Sequence, residues 1–169
     1  MQVYLGGPMF TAAEKRYNLW LAGELRAAGF GVYCPNESEP INDKTRDDIT
    51  AQKVYDFDIA ALEASNVYLC QVSEDSGTNW EAGYFDSLSR HVDPSRYWGV
   101  IGLATDIRLD AMPKPHQTGI ENAALHVNQF VAGGLLSSLG VVYDEESLIA
   151  RLQEIATERG VTLRRSQKR

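Results

Sequence analysis

Short apolar runs alternate along this chain with longer stretches of helical period, and that alternation limits the architectures open to it more than any other feature. "QVYL" (Gln2 to Leu5) reads as a strand, and "AAEKRYNLWLAGELRAAG" follows with Tyr17, Leu21, Leu25 and Ala28 on one helical face before Gly29. "GVYC" (Gly31 to Cys34) predicts a second strand and "RDDITAQKVYDFDIAALEAS" a second helix. "NVYLCQV" (Asn66 to Val72) is a third strand, apolar enough for burial on both faces. A third helix is expected from near Thr78. "YWGVIGL" supplies a fourth strand, "IENAALHVNQFVAGGLLSSL" a helix, and "GVVY" a fifth strand. "DEESLIARLQEIATERG" is a last helix, capped by Asp144 and ended by Gly160. Strands separated by helices pair in parallel through right-handed crossovers, so the expectation is an α/β fold with a five-stranded parallel sheet and helices on both faces. Neither a repeat nor a linker divides the sequence, which predicts one domain over residues 1–160 and a short basic tail over 161–169.

Composition removes several functional classes. The formal charge of −7 repels a polyanion, so nucleic acid is not an expected partner. No apolar run approaches the roughly 20 residues that span a bilayer, and the first residues lack the charged and apolar regions of a signal peptide. The expectation is a soluble, cytoplasmic protein with no membrane partner. Cys34 and Cys70 stand far apart without the spacing of a zinc site or a redox pair, which predicts two reduced, buried thiols. His91, His116 and His126 show no ligand spacing, and no metal is expected.

Ligands of open α/β sheets sit at the carboxyl ends of the strands, which directs attention to the loops there. The loop after the first strand is "GGPMFT" (Gly6 to Thr11). Gly6 and Gly7 allow a ligand close to the backbone, but the pattern is neither a Walker loop nor the dinucleotide fingerprint. Pro8, Met9 and Phe10 form either an apolar wall for a flat heterocycle or a turn with a buried Phe10. Two long connections, Pro35 to about Lys44 and about Ala104 to Gly119, are expected to rim the site.

The loop after the third strand reads "EDSGTNWEAGY" (Glu74 to Tyr84). Thr78 followed three residues later by Glu81 fits a capping box. The same position has a chemical use: a helix N-terminus favours an ionised carboxylate, and an ionised carboxylate can attack as a nucleophile. Asp75 lies on the loop over the same crevice. Asp58 in "YDFDIAAL" offers a second carboxyl group, with Asp56 pointing elsewhere on the same helix. Several carboxylates without a histidine cluster suit acid–base and nucleophilic chemistry at an acetal carbon.

"VYLGGPMF", "DFDIAALEASNVYLCQV", "DSGTNWEAGY", "TDIR" and "NQF", in that order, resemble the nucleoside 2-deoxyribosyltransferase family over about residues 3 to 145. The resemblance implies a flavodoxin-like (Rossmann-like) sheet enzyme that moves a 2-deoxyribosyl group between nucleobases through a covalent glycosyl-glutamate, without a cofactor. It implies that Glu81 is the nucleophile and that Tyr4 orients it. Asp58 would exchange a proton with the base and Asp75 would hold the sugar 5′-hydroxyl. Asn128 would be lent to that hydroxyl by a neighbouring subunit of a dimer-based homo-oligomer. The base pocket would involve Gly6, Gly7, Met9, Phe10 and Phe130, where the family often has an N-x-M pattern in place of Asn128-Gln129-Phe130. The partners implied are 2′-deoxyribonucleosides and free nucleobases. Two rival readings remain: a nucleoside 5′-monophosphate N-glycosidase of the same fold, in which a serine commonly replaces Asp75, and a non-catalytic nucleotide-sensing module in which Glu81 is only a cap.

Overall fold

The computed structural model describes residues 1–43, 45–106 and 127–163. Its elements are β1 (Gln2–Gly6), α1 (Ala12–Ala27), β2 (Gly31–Tyr33), a 3-10 turn (Pro35–Glu37), α2 (Glu39–Asn42), α3 (Ala51–Glu63) and β3 (Val67–Gln71). They continue with α4 (Ser76–Ser87), which runs into a π turn at Leu88–Val92, then β4 (Gly99–Leu103), α5 (Gln129–Leu136), β5 (Val141–Val142) and α6 (Glu145–Glu158). The sheet has the order β2-β1-β3-β4-β5 with every pairing parallel. This is the flavodoxin-like order, in which the chain leaves β1 toward one edge and returns to build the other. The switch between β1 and β3 opens a crevice at their carboxyl ends.

Alternation along the strands divides the core in two. Val3, Leu5, Val67, Leu69, Ile101 and Leu103 face one side, where Leu21 and Leu25 of α1 and Leu148 and Leu152 of α6 cover them. Tyr4, Tyr68, Cys70 and Val100 face the other, against Leu62 of α3, Ala82 and Phe85 of α4 and Leu135 of α5. Each leucine buried in this way contributes about 1.5–3 kcal/mol. Tyr4 and Tyr68 are therefore core residues by position and polar residues by chemistry. Cys34 and Cys70 are buried free thiols.

Several boundaries differ from the expected ones. The second helix starts at Ala51, where Thr50 accepts the Lys53 amide, and not at Arg46. The connection from Pro35 to Lys44 is partly helical, because Pro35 and Pro40 preset the backbone for a 3-10 turn and for the first turn of α2. Helix α4 opens at Ser76, ahead of Thr78. Asn128 caps α5 and is not inside it. The earlier part of that expected helix, His116, His126 and most of the connection from Ala104 to Gly119 lie outside the described residues, as does the tail from 164.

Candidate active site

The functional geometry begins with a row of tyrosines. Tyr33, Tyr4 and Tyr68 are register partners across β2, β1 and β3. Their rings follow one another at centroid distances of 5.0 and 5.4 Å. All three side chains leave the sheet on the side covered by α3 and α4, and each hydroxyl meets a carboxyl group from those helices. Tyr4 Oη donates to Glu81 Oε1 at 2.9 Å, and Tyr68 Oη lies 2.9 Å from Glu81 Oε2. Tyr33 Oη reaches Asp58 Oδ1 at 3.5 Å, the long limit of a hydrogen bond. Tyr4 also helps to lower the Asp58 carboxyl against the upward push of burial.

Asp75, not Thr78, caps α4. Its Oδ2 accepts the Thr78 amide at 2.8 Å and the Thr78 hydroxyl at 2.7 Å. Glu81 therefore sits in the second turn and takes no part in capping, which overturns the expected Thr78–Glu81 box. The expectation that the helix end keeps Glu81 firmly ionised fails with it. Burial raises the Glu81 carboxyl to about 7 against the lowering effect of Tyr68 and Tyr4, with Asp58 and Asp75 adding a smaller upward push. Burial also raises Asp58, and the two tyrosines pull it down. Tyr4 itself is pushed far above the usual phenol range by burial and by the two carboxyl groups, so it remains a donor at any working pH.

A cleft of about 550 Å³ lies over this pair. Glu81, Asp58 and Asp75 line it together with Gly7, Met9 and Phe10, so the structure gathers six of the expected site residues around one space. Tyr4 stands behind Glu81. Gly6 does not line the cleft; a Cβ there would overlap the Tyr68 hydroxyl, so its role is to let that ring pass beneath β1. Phe10 is 79% exposed, which decides against the buried-turn alternative. Asn128 accepts the Phe130 amide at 2.9 Å, and Phe130 is 90% exposed on a groove along α4 and α5. Neither residue borders the cleft of its own chain.

The connection from Pro35 to about Lys44 rims the cleft as expected, through Pro35, Asn36, Ile41 and Asn42, and Ser76 at the start of α4 joins it; Lys15 and Val54 border it too, and sequence reading did not single them out. Behind the wall runs an amide chain: Gln71 Nε2 donates to Asn18 Oδ1 at 2.7 Å, and Asn18 Nδ2 donates to Asn36 Oδ1 at 2.8 Å and to the Pro8 carbonyl at 3.0 Å. Asn18 is buried, so α1 ties the end of β3, the loop after β1 and the 3-10 turn through one side chain. Gly7 crosses above this chain, where a Cβ would meet the Gln71 amide. The available signal was the polar Asn18 beside Tyr17 on an otherwise apolar face. Among the described residues, no group of three or more His, Cys, Asp or Glu is placed to hold a metal ion.

A parallel sheet of flavodoxin-like order, with two carboxyl groups and a tyrosine row at its switch point, defines an α/β protein built around a small-molecule cleft. Comparison with known proteins narrows the class. Residues 3–129 match the family described as Nucleoside 2-deoxyribosyltransferase, and the chain belongs to that family. No curated protein sequence matches it. Among solved structures it resembles a conserved protein from Enterococcus faecalis V583 at 23% identity and a TM-score of 0.68, over 91% of this chain and 98% of that one. It also resembles a 2-deoxyribosyltransferase from the psychrotolerant bacterium Bacillus psychrosaccharolyticus at 15% identity and a TM-score of 0.57, over 88% and 90% of the two chains. At those identities the likeness is one of fold. Among the described residues, no helix is long and apolar enough to cross a membrane.

Proposed function

We propose that this protein is a cytoplasmic nucleoside 2-deoxyribosyltransferase that exchanges the base of a 2′-deoxyribonucleoside through a glycosyl ester on Glu81, with net retention. The observation that carries this reading is Glu81, which faces the cleft with Asp58 and whose Oε1 accepts the Tyr4 hydroxyl. With both carboxyl groups raised, the pair holds one proton near neutral pH. That proton has two arrangements. In one, Glu81 is protonated and Asp58 is an anion. In the other, Asp58 is protonated and Glu81 is the anion that accepts from Tyr4. The second arrangement is the reactive one. Glu81 attacks C1′ as the C1′–N bond breaks, and Asp58 delivers its proton to the departing base, an effect typically worth about 10² to 10⁴ in rate. An incoming base then attacks C1′ from the face the first base left, returns its N–H proton to Asp58 and releases Glu81 as carboxylate. Two inversions give retention.

Asp75 borders the cleft, and only its Oδ2 is engaged in capping α4, which supports a role in accepting the sugar 5′-hydroxyl. Met9 and Phe10 supply apolar surface for a base. Asn128 and Phe130, away from their own cleft, suit a contribution to a neighbouring subunit's cleft in a dimer-based oligomer. A second reading, hydrolysis of a nucleoside 5′-monophosphate, is favoured by Lys15 and Ser76 on the same cleft, which suit a phosphate. Against it, Asp75 places a carboxylate in that region. The sensing-module reading loses its basis, since Glu81 is not a cap. Incubating the protein with a deoxynucleoside and a different free base, and separately with a deoxynucleoside 5′-monophosphate, tests the choice by chromatography. The expected product is the exchanged nucleoside; free base and sugar phosphate from the monophosphate alone would select the hydrolase.

A further inference from the structure

Tyr68 is fully buried, and its hydroxyl lies 2.9 Å from Glu81 Oε2 and 2.9 Å from the Thr78 carbonyl oxygen. A phenol has one proton to donate, so these two acceptors compete for it. Packing leaves the ring little freedom: it stacks on Tyr4 at 5.4 Å, meets Phe85 at 6.1 Å and passes beneath Gly6. The torsion of the O–H bond is what remains free. When Glu81 is a carboxylate, the charge-assisted bond takes the proton, and the Thr78 carbonyl keeps the amide of its helical ladder. When Glu81 is protonated or esterified, that pull is gone and the proton turns to Thr78.

We propose that Tyr68 is a second positioning residue for Glu81, holding Oε2 of the anion by moving its one proton between the Glu81 carboxylate and the Thr78 carbonyl. Tyr4 then fixes Oε1, Tyr68 fixes Oε2, and the carboxylate plane is set from two neighbouring strands. The inference rests on the reading of Glu81 as nucleophile. The groups facing Glu81 are Tyr4 from β1, Tyr68 and the thiol of Cys70 from β3, Asp58 from α3 and Asp75 at the cap of α4, with Tyr33 of β2 beyond Tyr4. None of these is a cation. Lys15, an exposed residue, borders the same cleft, and no bond from it to Glu81 is present among the described residues. Among the described residues, stabilisation of the Glu81 anion therefore falls to hydroxyl donors, and removing one has a measurable consequence.

Two readouts on wild type and Tyr68→Phe test this: a carbon-13 carboxyl titration of Glu81 by NMR, and the pH profile of kcat/KM for base exchange. Loss of a donor to the charged form is expected to move the Glu81 titration to higher pH. The alkaline limb of the profile, which reports that ionisation, should move to higher pH with it, and kcat/KM at its optimum should fall about tenfold as the arrangement with Glu81 as the anion becomes rarer. A lowered Tm with an unmoved titration and an unmoved profile would overturn the proposal and leave Tyr68 as a partner of Thr78 alone. Should the phenylalanine variant not fold, a more acidic fluorinated tyrosine at position 68 keeps the shape and must move the Glu81 titration to lower pH; no movement overturns the proposal equally. A wild-type protein that exchanges no bases would remove the functional reading, while the titration would still decide the place of Tyr68.

Discussion

As the proposed nucleophile Glu81 meets opposing demands, since it would have to be an anion to attack carbon and yet sits where burial raises its carboxyl from the usual 4.5 to about 7. Between those values the folded protein binds a proton that the unfolded chain has released. The stabilising contribution is thus complete below about 4.5 and is lost as pH rises through about 7, at a cost of about 3 kcal/mol above it. Glu81→Gln is expected to abolish base exchange while raising Tm by several degrees at pH 8 and hardly at all at pH 5, as read by calorimetry. A fall in Tm at pH 8 would contradict this assignment of the proton. The same proton shapes catalysis. If the Asp58–Glu81 pair works with one proton as proposed, kcat/KM should be bell-shaped, and its alkaline limb should report the pair's last ionisation at about 7. An alkaline limb displaced beyond pH 9 would rule out the shared proton. At Asp75, serine retains a capping oxygen, so Asp75→Ser should cost no more than about 1 kcal/mol of stability and raise activity on 5′-monophosphates relative to nucleosides. An unchanged ratio would place Asp75 outside the sugar site.

Two stretches of this chain spell Thr-x-x-Glu, and only one is a capping box. Thr11 and Glu14 exchange the reciprocal bonds at the start of α1, whereas Thr78 and Glu81 do not, because Asp75 has already capped α4 one turn earlier. Local pattern cannot separate the two cases, since the deciding residue lies outside the four-residue window. That displacement is what frees Glu81 for Tyr4 and Tyr68. The tyrosine row was equally hidden: Tyr33, Tyr4 and Tyr68 are far apart in sequence and meet only when strand register is known. Motif matching found Tyr4 and missed Tyr68. The amide chain through Asn18 is a third such feature, linking elements that no single-helix reading connects. Asn18→Leu removes the bonds to Gln71, Asn36 and Pro8, and each buried group left unpaired costs about 1–3 kcal/mol. Steady-state kinetics should then show KM rising more than kcat falls, because the cleft wall loosens while Glu81, Asp58 and Tyr4 keep their contacts. A selective loss of kcat would contradict that division of labour.

At the scale of the molecule, the parallel sheet was legible because burial on both faces leaves strands as continuous apolar runs and helices as periodic ones. Strand order was not legible from periodicity; it came with the family resemblance and agrees with β2-β1-β3-β4-β5. The cleft was readable through the rule that loops at the carboxyl ends of strands carry the ligand, and the loops after β1 and β3 do line it. Asn128 and Phe130 lie beyond the reach of that rule, being away from their own cleft. If a neighbouring subunit receives them, Glu81→Ala and Asn128→Ser, each impaired alone, should regain activity once subunits exchange, because a mixed dimer holds one intact cleft. Failure to complement despite proven exchange would make the cleft a single-chain site. The account as a whole turns on the bond from Glu81 to C1′. The most direct measurement is peptide mass spectrometry of protein quenched during turnover of a 2′-deoxynucleoside. The account predicts a deoxyribosyl adduct on Glu81 that disappears when a second base is added, with the new nucleoside formed in its place. Exchange that proceeds with Glu81 unmodified, or with the adduct on another side chain, would contradict it.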